Sequence, residues 1–190
     1  MKKLLIILDR DGTLIEFVDN LGRNEKWKDE VKLNEHLTDI LKFINGNHNA
    51  KLYVVSNQSG VAKKYFTCER VEEINLFINK MLKDIGIEIS GWNYCADVDK
   101  NFASLNSDIE FDKLYVKEKT KRKPSAEMVF ELLSKDNLYL QDFEKIIVLG
   151  DDKKDGKLAE NIEANFIDVK GKNYKQLKEE FLSFIGEQNG

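Results

Sequence analysis

Six side chains able to do acid–base, nucleophilic or metal-ligating work stand just after apolar runs in this chain. Leu4-Leu5-Ile6-Ile7-Leu8 leads into Asp9-Arg10-Asp11-Gly12-Thr13, and Leu52-Tyr53-Val54-Val55 leads into Ser56-Asn57. Ile146-Ile147-Val148-Leu149 leads into Gly150-Asp151-Asp152. Taken singly, each cluster has a plain structural use: Asp-Gly marks a turn, and Ser-Asn or Asp-Asp can cap a helix. Taken together, they put hard oxygen donors at the ends of three buried strands, where uncompensated carboxylates are costly. A divalent cation and a phosphoryl group would meet that charge. Mg²⁺ suits such donors, because it accepts one or two carboxylates and completes its shell with water and phosphate oxygens. Zn²⁺ calls for His or Cys at set spacing, and His36 and His48 offer none. Positive charge for a phosphoryl group is available from Lys119, Lys121, Arg122 and Lys123. One or two of these are expected to touch phosphate.

The elements that must position these groups follow from hydrophobic spacing. Asn34 is expected to cap a helix with Leu37, Ile40, Leu41 and Ile44 on one face, ending at Gly46. Thr67 starts a second helix through Val71, Ile74, Ile78, Met81, Leu82 and Ile85, with Gly86 as its stop. Trp92 to Cys95 reads as a strand. Pro124 is expected to precede a helix through Met128, Val129, Leu132 and Leu133, where its fixed φ suits the first turn. A helix over Leu158 to Ala164, a strand over Phe166 to Val169 and a helix with Leu177, Phe181 and Phe184 complete the chain. Ile15 to Leu33 reads as a long polar connection. Strand and helix alternate, which predicts an α/β fold with a mostly parallel sheet and helices on both faces. In such sheets the carboxyl ends of the strands share one edge, so the three polar clusters can meet there.

Length and composition narrow the classes. A chain of 190 residues, 42% hydrophobic, suits one domain, here 1–190 with a surface insertion at about 97–121. Charged residues make up 34%, yet the net charge is only -4, which leaves no basic field to hold duplex nucleic acid. Cys68 and Cys95 read as reduced thiols, not a disulfide framework. Met1-Lys2-Lys3 and the five apolar residues after it are cut off by Asp9-Arg10-Asp11, too soon for a signal peptide or a membrane span. A cytoplasmic protein, monomeric and without a membrane partner, is expected.

Asp9-Arg10-Asp11-Gly12-Thr13-Leu14 resembles the first motif of the haloacid dehalogenase (HAD) superfamily of phosphohydrolases. Ser56-Asn57-Gln58-Ser59-Gly60-Val61-Ala62 with Tyr65-Phe66-Thr67 is similar to the second motif of a narrower group. That group holds heptose 1,7-bisphosphate phosphatases, histidinol phosphatases and the 3′-phosphatase of polynucleotide kinase. Arg122-Lys123-Pro124 and Gly150-Asp151-Asp152 with Asp155 look like the third and fourth motifs. The resemblance implies a Rossmann-like three-layer sandwich with a minimal cap or none. It implies Asp9 as nucleophile, forming an aspartyl-phosphate, and Asp11 as the acid and then the base. Asp9, Asp11 (through its backbone carbonyl) and Asp151 would hold Mg²⁺. Ser56, Asn57, Arg122 and Lys123 would bind phosphate or substrate, with Thr13, Asp152 and Asp155 in support.

The nearest subgroup in motif detail is the heptose bisphosphate phosphatases, but one of its features is missing. Those enzymes usually carry a zinc loop of Cys, His, Cys and Cys. Here Cys95 stands near the first position, Asp97 replaces the histidine, and Lys119 and Lys121 occupy the last two. Structural zinc is therefore not expected. A small phosphorylated sugar such as D-glycero-D-manno-heptose 1,7-bisphosphate is the leading substrate, with histidinol phosphate or a nucleic acid 3′-phosphate as alternatives. A phospho-signalling receiver-like domain is the reading from another class. It fits less well, because its phosphorylated Asp would stand where Ser56 is.

Overall fold

β1 (Lys3–Leu8) is central in a five-stranded sheet and is buried on both faces, as its unbroken apolar run requires. The computed structural model describes residues 3–187, so Met1 and Lys2 of the basic start lie outside the described residues. The chain continues through α1 (Trp27–Glu30), α2 (Glu35–Asn47), β2 (Asn49–Asn57), α3 (Cys68–Asp84) and β3 (Gly91–Cys95). It then forms β4 (Val98–Asp99), α4 (Lys100–Leu105), β5 (Val116–Lys117), α5 (Glu127–Lys135) and β6 (Lys145–Gly150). α6 (Lys153–Asn161), β7 (Asn165–Asp168) and α7 (Tyr174–Ile185) follow.

The main sheet has the order β3-β2-β1-β6-β7, and every pairing is parallel. Side chains of β1 divide between the faces by strand periodicity. Leu4, Ile6 and Leu8 pack with residues of α2, α3 and α7, whereas Leu5 and Ile7 pack with residues of α5 and α6. This is the three-layer α/β arrangement that the alternation of elements implied. Register does the rest. Leu8 pairs with Val54 on one side and Leu149 on the other, so the polar residues after them emerge along one edge.

Asn34 and Thr67 cap α2 and α3 as expected, accepting from the backbone N–H of Leu37 at 3.2 Å and of Arg70 at 3.3 Å. Several boundaries differ from the sequence reading. Gly46 lies inside the last turn of α2, which ends when His48 N–H reaches Ile44 O at 2.9 Å without needing a glycine turn. α5 begins at Glu127, and Pro124 lies in the preceding turn, where Ser125 N–H bonds Arg122 O at 2.9 Å. Tertiary hydrogen bonds from Asn57 and Asn161 hold that turn. α6 starts at Lys153, ahead of its first apolar contact, because Asp152 and Asp155 form a capping box.

Two connections are more ordered than their composition suggests. Between Ile15 and Leu33 the chain buries Leu21, Trp27 and Val31 against the main core. Within 97–121, β4 and β5 pair in parallel, Phe102 meets Phe111 edge-on at 6.1 Å, and Lys100 pairs with Glu118. Lys121 ties the end of this segment to Glu131 at 2.8 Å and to Asn93 at 3.1 Å. No described helix is long and apolar enough to cross a membrane.

At the end of β6 the chain must be glycine for a steric reason. A Cβ on Gly150 would fall 2.3 Å from Cβ of Asp155, which is 2% exposed and has no room to withdraw. Gly150→Ala is therefore expected to lower stability by about 1–3 kcal/mol, read as an earlier urea-unfolding midpoint. An unchanged midpoint would contradict this packing.

Candidate active site

Asp9 leaves β1 with its backbone N–H still donating to Leu149 O at 3.0 Å, so its position is set by the sheet itself. Its carboxylate meets the ammonium of Lys123, which also pairs with Asp155 at 2.7 Å. All three groups are buried. Lys123 comes from the turn before α5, and the side chain of Asn57, at the end of β2, fastens that turn. Asn57 accepts from Lys123 N–H at 2.8 Å and donates to Lys123 O at 3.2 Å. Its side-chain amide therefore positions a cation, a role different from the phosphate contact expected for it.

Asp155 is placed by α6. One oxygen takes Lys123, and the other accepts from Asp152 N–H at 3.2 Å. Asp152 in turn caps the helix by accepting from Lys154 N–H at 2.8 Å. Asp151 points to the β1 side, where the Thr13 hydroxyl donates to it at 3.4 Å. Gly12 makes this approach possible. Its φ is +87°, and a Cβ there would lie 2.4 Å from the Asp151 carboxylate.

Carboxylate oxygens of Asp9, Asp151 and Asp155 lie within 4.8 Å of one another, the one grouping of this kind among the described residues. Hard oxygen donors packed this closely beside a single ammonium fit a divalent cation. Electrostatics agree. Burial, reinforced by Asp155 and Asp11 and opposed by Lys123, pushes the Asp9 carboxyl up to about 7. Burial and Asp155 also raise Asp151. Burial works against the charge on Lys123, but Asp9 and Asp155 outweigh it and hold the ammonium above its ordinary value.

The Asp11 carboxylate belongs to a second network. Ser56 Oγ donates to it at 3.2 Å, Gln58 Nε2 at 2.6 Å, and the Arg10 guanidinium pairs with it at 3.0 Å. Gln58 also donates to Ser56 Oγ at 2.6 Å. The Ser56 hydroxyl expected to face phosphate is thus turned toward Asp11. Arg10 and Gln58, both buried, were missed in the sequence reading, although a charged residue inside a buried motif was a visible signal.

Asp9, Asp11, Ser56, Asn57, Arg122, Lys123, Asp151, Asp152 and Asp155 line one cleft of about 210 Å³. Lys119 is not among its lining residues, and Lys121 is paired away from it. A larger groove of about 1090 Å³ near Glu16, Lys32 and Lys172 has no such convergence, so chemistry and not volume locates the site. Arg122 sits over the Phe102 ring at 5.8 Å, and its buried Nη1 has no partner among the described residues. Phe17, 69% exposed, stands at the cleft mouth.

Comparison with known proteins bears on this site. The sequence profile of the polynucleotide kinase 3 phosphatase family matches residues 4–169. A Thermoplasma volcanium protein named "Probable D-glycero-D-manno-heptose-1,7-bisphosphate 7-phosphatase" is 29% identical over 170 residues, 87% of this chain and 97% of that one. A D-glycero-beta-D-manno-heptose-1,7-bisphosphate 7-phosphatase of Neisseria meningitidis is 32% identical over 95 residues, covering 50% of this chain and 49% of its own. The D,D-heptose 1,7-bisphosphate phosphatase of B. bronchiseptica, solved with magnesium and phosphate, shares the fold. Its TM-score is 0.66 at 20% identity, over 93% of this chain and 84% of that one. The chain belongs to the polynucleotide kinase 3 phosphatase family and is a phosphatase.

Proposed function

We propose that this phosphatase hydrolyses a small sugar phosphate, such as D-glycero-D-manno-heptose 1,7-bisphosphate, through an aspartyl-phosphate on Asp9. The observation that carries the reading is the grouping of Asp9, Asp151 and Asp155, the first and last of them paired with one buried ammonium. Asp9 and Asp151, with the backbone carbonyl of Asp11, would hold Mg²⁺, and Asp155 would stand beside them on Lys123; the ion when bound would neutralise carboxylate and phosphoryl charge. Asp9 attacks phosphorus, and Lys123 beside it reduces repulsion between the nucleophile and the anionic substrate. Asp11 gives a proton to the leaving oxygen as the P–O bond breaks, then takes one from the water that hydrolyses the aspartyl-phosphate. Arg122 lines the cleft, has a buried Nη1 without a partner among the described residues, and would meet a phosphate oxygen of the substrate. Free Cys68 and Cys95 fit a reducing, cytoplasmic setting, and we take the protein as a monomer.

The family's description favours one second reading, a nucleic acid 3′-phosphatase. A net charge of -4 weighs against strong strand binding. Turnover of heptose 1,7-bisphosphate, other sugar phosphates, histidinol phosphate and a 3′-phosphorylated oligonucleotide, measured side by side, tests the choice. A sugar phosphate is expected to show the highest kcat/KM, and the oligonucleotide ranking first would replace the reading.

Asp9→Asn is expected to lower kcat at least about 10³-fold, and EDTA to abolish wild-type activity until Mg²⁺ is restored. Full activity in the variant would remove Asp9 as nucleophile. Titration supplies a further prediction. An unfolded aspartate loses its proton at about pH 4, whereas buried Asp9 keeps it up to about 7 in the metal-free fold. The stability this group contributes is therefore fully present below about pH 4 and lost as pH rises through about 7. A cation binds the ionised form, so MgCl₂ should raise Tm more at about pH 8 than at about pH 5.5. Equal shifts at both pH values would contradict a proton–metal competition at Asp9.

A further inference from the structure

We propose that Asn75, on α3 and outside the cleft, is a positioning residue for Asp11, acting through the guanidinium of Arg10. The inference rests on the aspartyl-phosphate reading above, in which Asp11 protonates the leaving oxygen.

Arg10 is 1% exposed, so its N–H groups must find acceptors inside the protein. One edge of the guanidinium faces Asp11. Nε donates to its two oxygens at 3.1 and 3.2 Å, and Nη2 pairs with Oδ2 at 3.0 Å. The remaining nitrogen, Nη1, donates to Asn75 Oδ1 at 2.8 Å. A planar guanidinium held at both ends cannot rotate without breaking one of these contacts. The far end is itself rigid. Asn75 follows Ile74 and precedes Ile78 on α3, and both isoleucines are fully buried in the main core. Asn75 lines a separate shallow surface with Glu72, Asn79 and Trp92, so it does not reach the substrate cleft.

Removing the Asn75 carbonyl leaves a buried donor unsatisfied, which costs about 1–3 kcal/mol if nothing replaces it. The guanidinium would turn to another acceptor and carry the Asp11 carboxyl with it. Asp9 would not move, since it is held by the sheet and by Lys123. The damage should therefore fall on proton transfer and spare nucleophilic attack. The two steps separate by leaving group. Phenolate needs a proton as it departs more than p-nitrophenolate does, while the two aryl phosphates are nearly alike in shape.

The experiment measures kcat/KM for p-nitrophenyl phosphate and phenyl phosphate, with Mg²⁺, in wild type, Asn75→Leu, Asn75→Ser and Asn75→Asp. For Asn75→Leu a loss of about tenfold is expected on phenyl phosphate and less than about threefold on p-nitrophenyl phosphate. Asn75→Ser, with less bulk, carries the same expectation should the leucine variant misfold. Asn75→Asp keeps an acceptor for Nη1 and is expected to restore the wild-type ratio. Equal losses on both substrates, or none on either, would overturn the positioning role and leave the aspartyl-phosphate reading intact. A wild-type protein inactive on both aryl phosphates would overturn that reading and the role of Asn75 with it.

Discussion

The ammonium of Lys123 sits between the carboxylates of Asp9 and Asp155, and most of the site geometry answers to that contact. A buried lysine is tolerated only when paired, and removing one partner of such a pair costs about 3–5 kcal/mol. Here the partners come from three places: the end of β1, the first turn of α6, and the turn before α5. Each is fixed by its own local device. β1 is held by the parallel ladder, α6 by the box of Asp152 and Asp155, and the Lys123 turn by the two bonds to Asn57. Gly150 belongs to the same arrangement, since any larger residue would push Asp155 from the lysine.

One lysine does not balance three clustered carboxylates. Burial raises both Asp9 and Asp151 above the ordinary carboxylate range. The Asp11 carboxylate stands apart from this pool of charge. Arg10, Ser56 and Gln58 hold Asp11 in a network of its own, which separates its carboxylate from that of Asp9 although one residue lies between them. The tight turn at Gly12 allows that separation, by sending the chain back so that Thr13 meets Asp151.

The segment 97–121 packs Phe102 beneath Arg122, which lines the cleft. In this chain it is ordered by a two-residue parallel pairing, an aromatic pair and ion pairs. Lys121, where the zinc-loop pattern would place a cysteine, pairs with Glu131. The buried Cys95 thiol donates to Asp97 O at 3.7 Å. The surroundings of Arg122 in this protein therefore depend on these side-chain contacts.

By itself the sequence determined the layering and the edge at which chemistry gathers. Continuous apolar runs can be buried only in a covered parallel sheet, and helical spacing of Leu and Ile names the faces that cover it. The motif residues Asp9, Lys123 and Asp151 were legible for the same reason, as charges beside strands or in a basic turn that needed partners. The tertiary structure decided the rest: that Asn57 serves Lys123, that Asp155 joins the carboxylate group, and that Arg10 links Asp11 to Asn75. These depend on contacts between residues far apart in the chain, 66 positions for Asn57 and Lys123 and 65 for Arg10 and Asn75. No periodicity records such contacts, because a polar side chain has several acceptable partners and only the packed fold selects one.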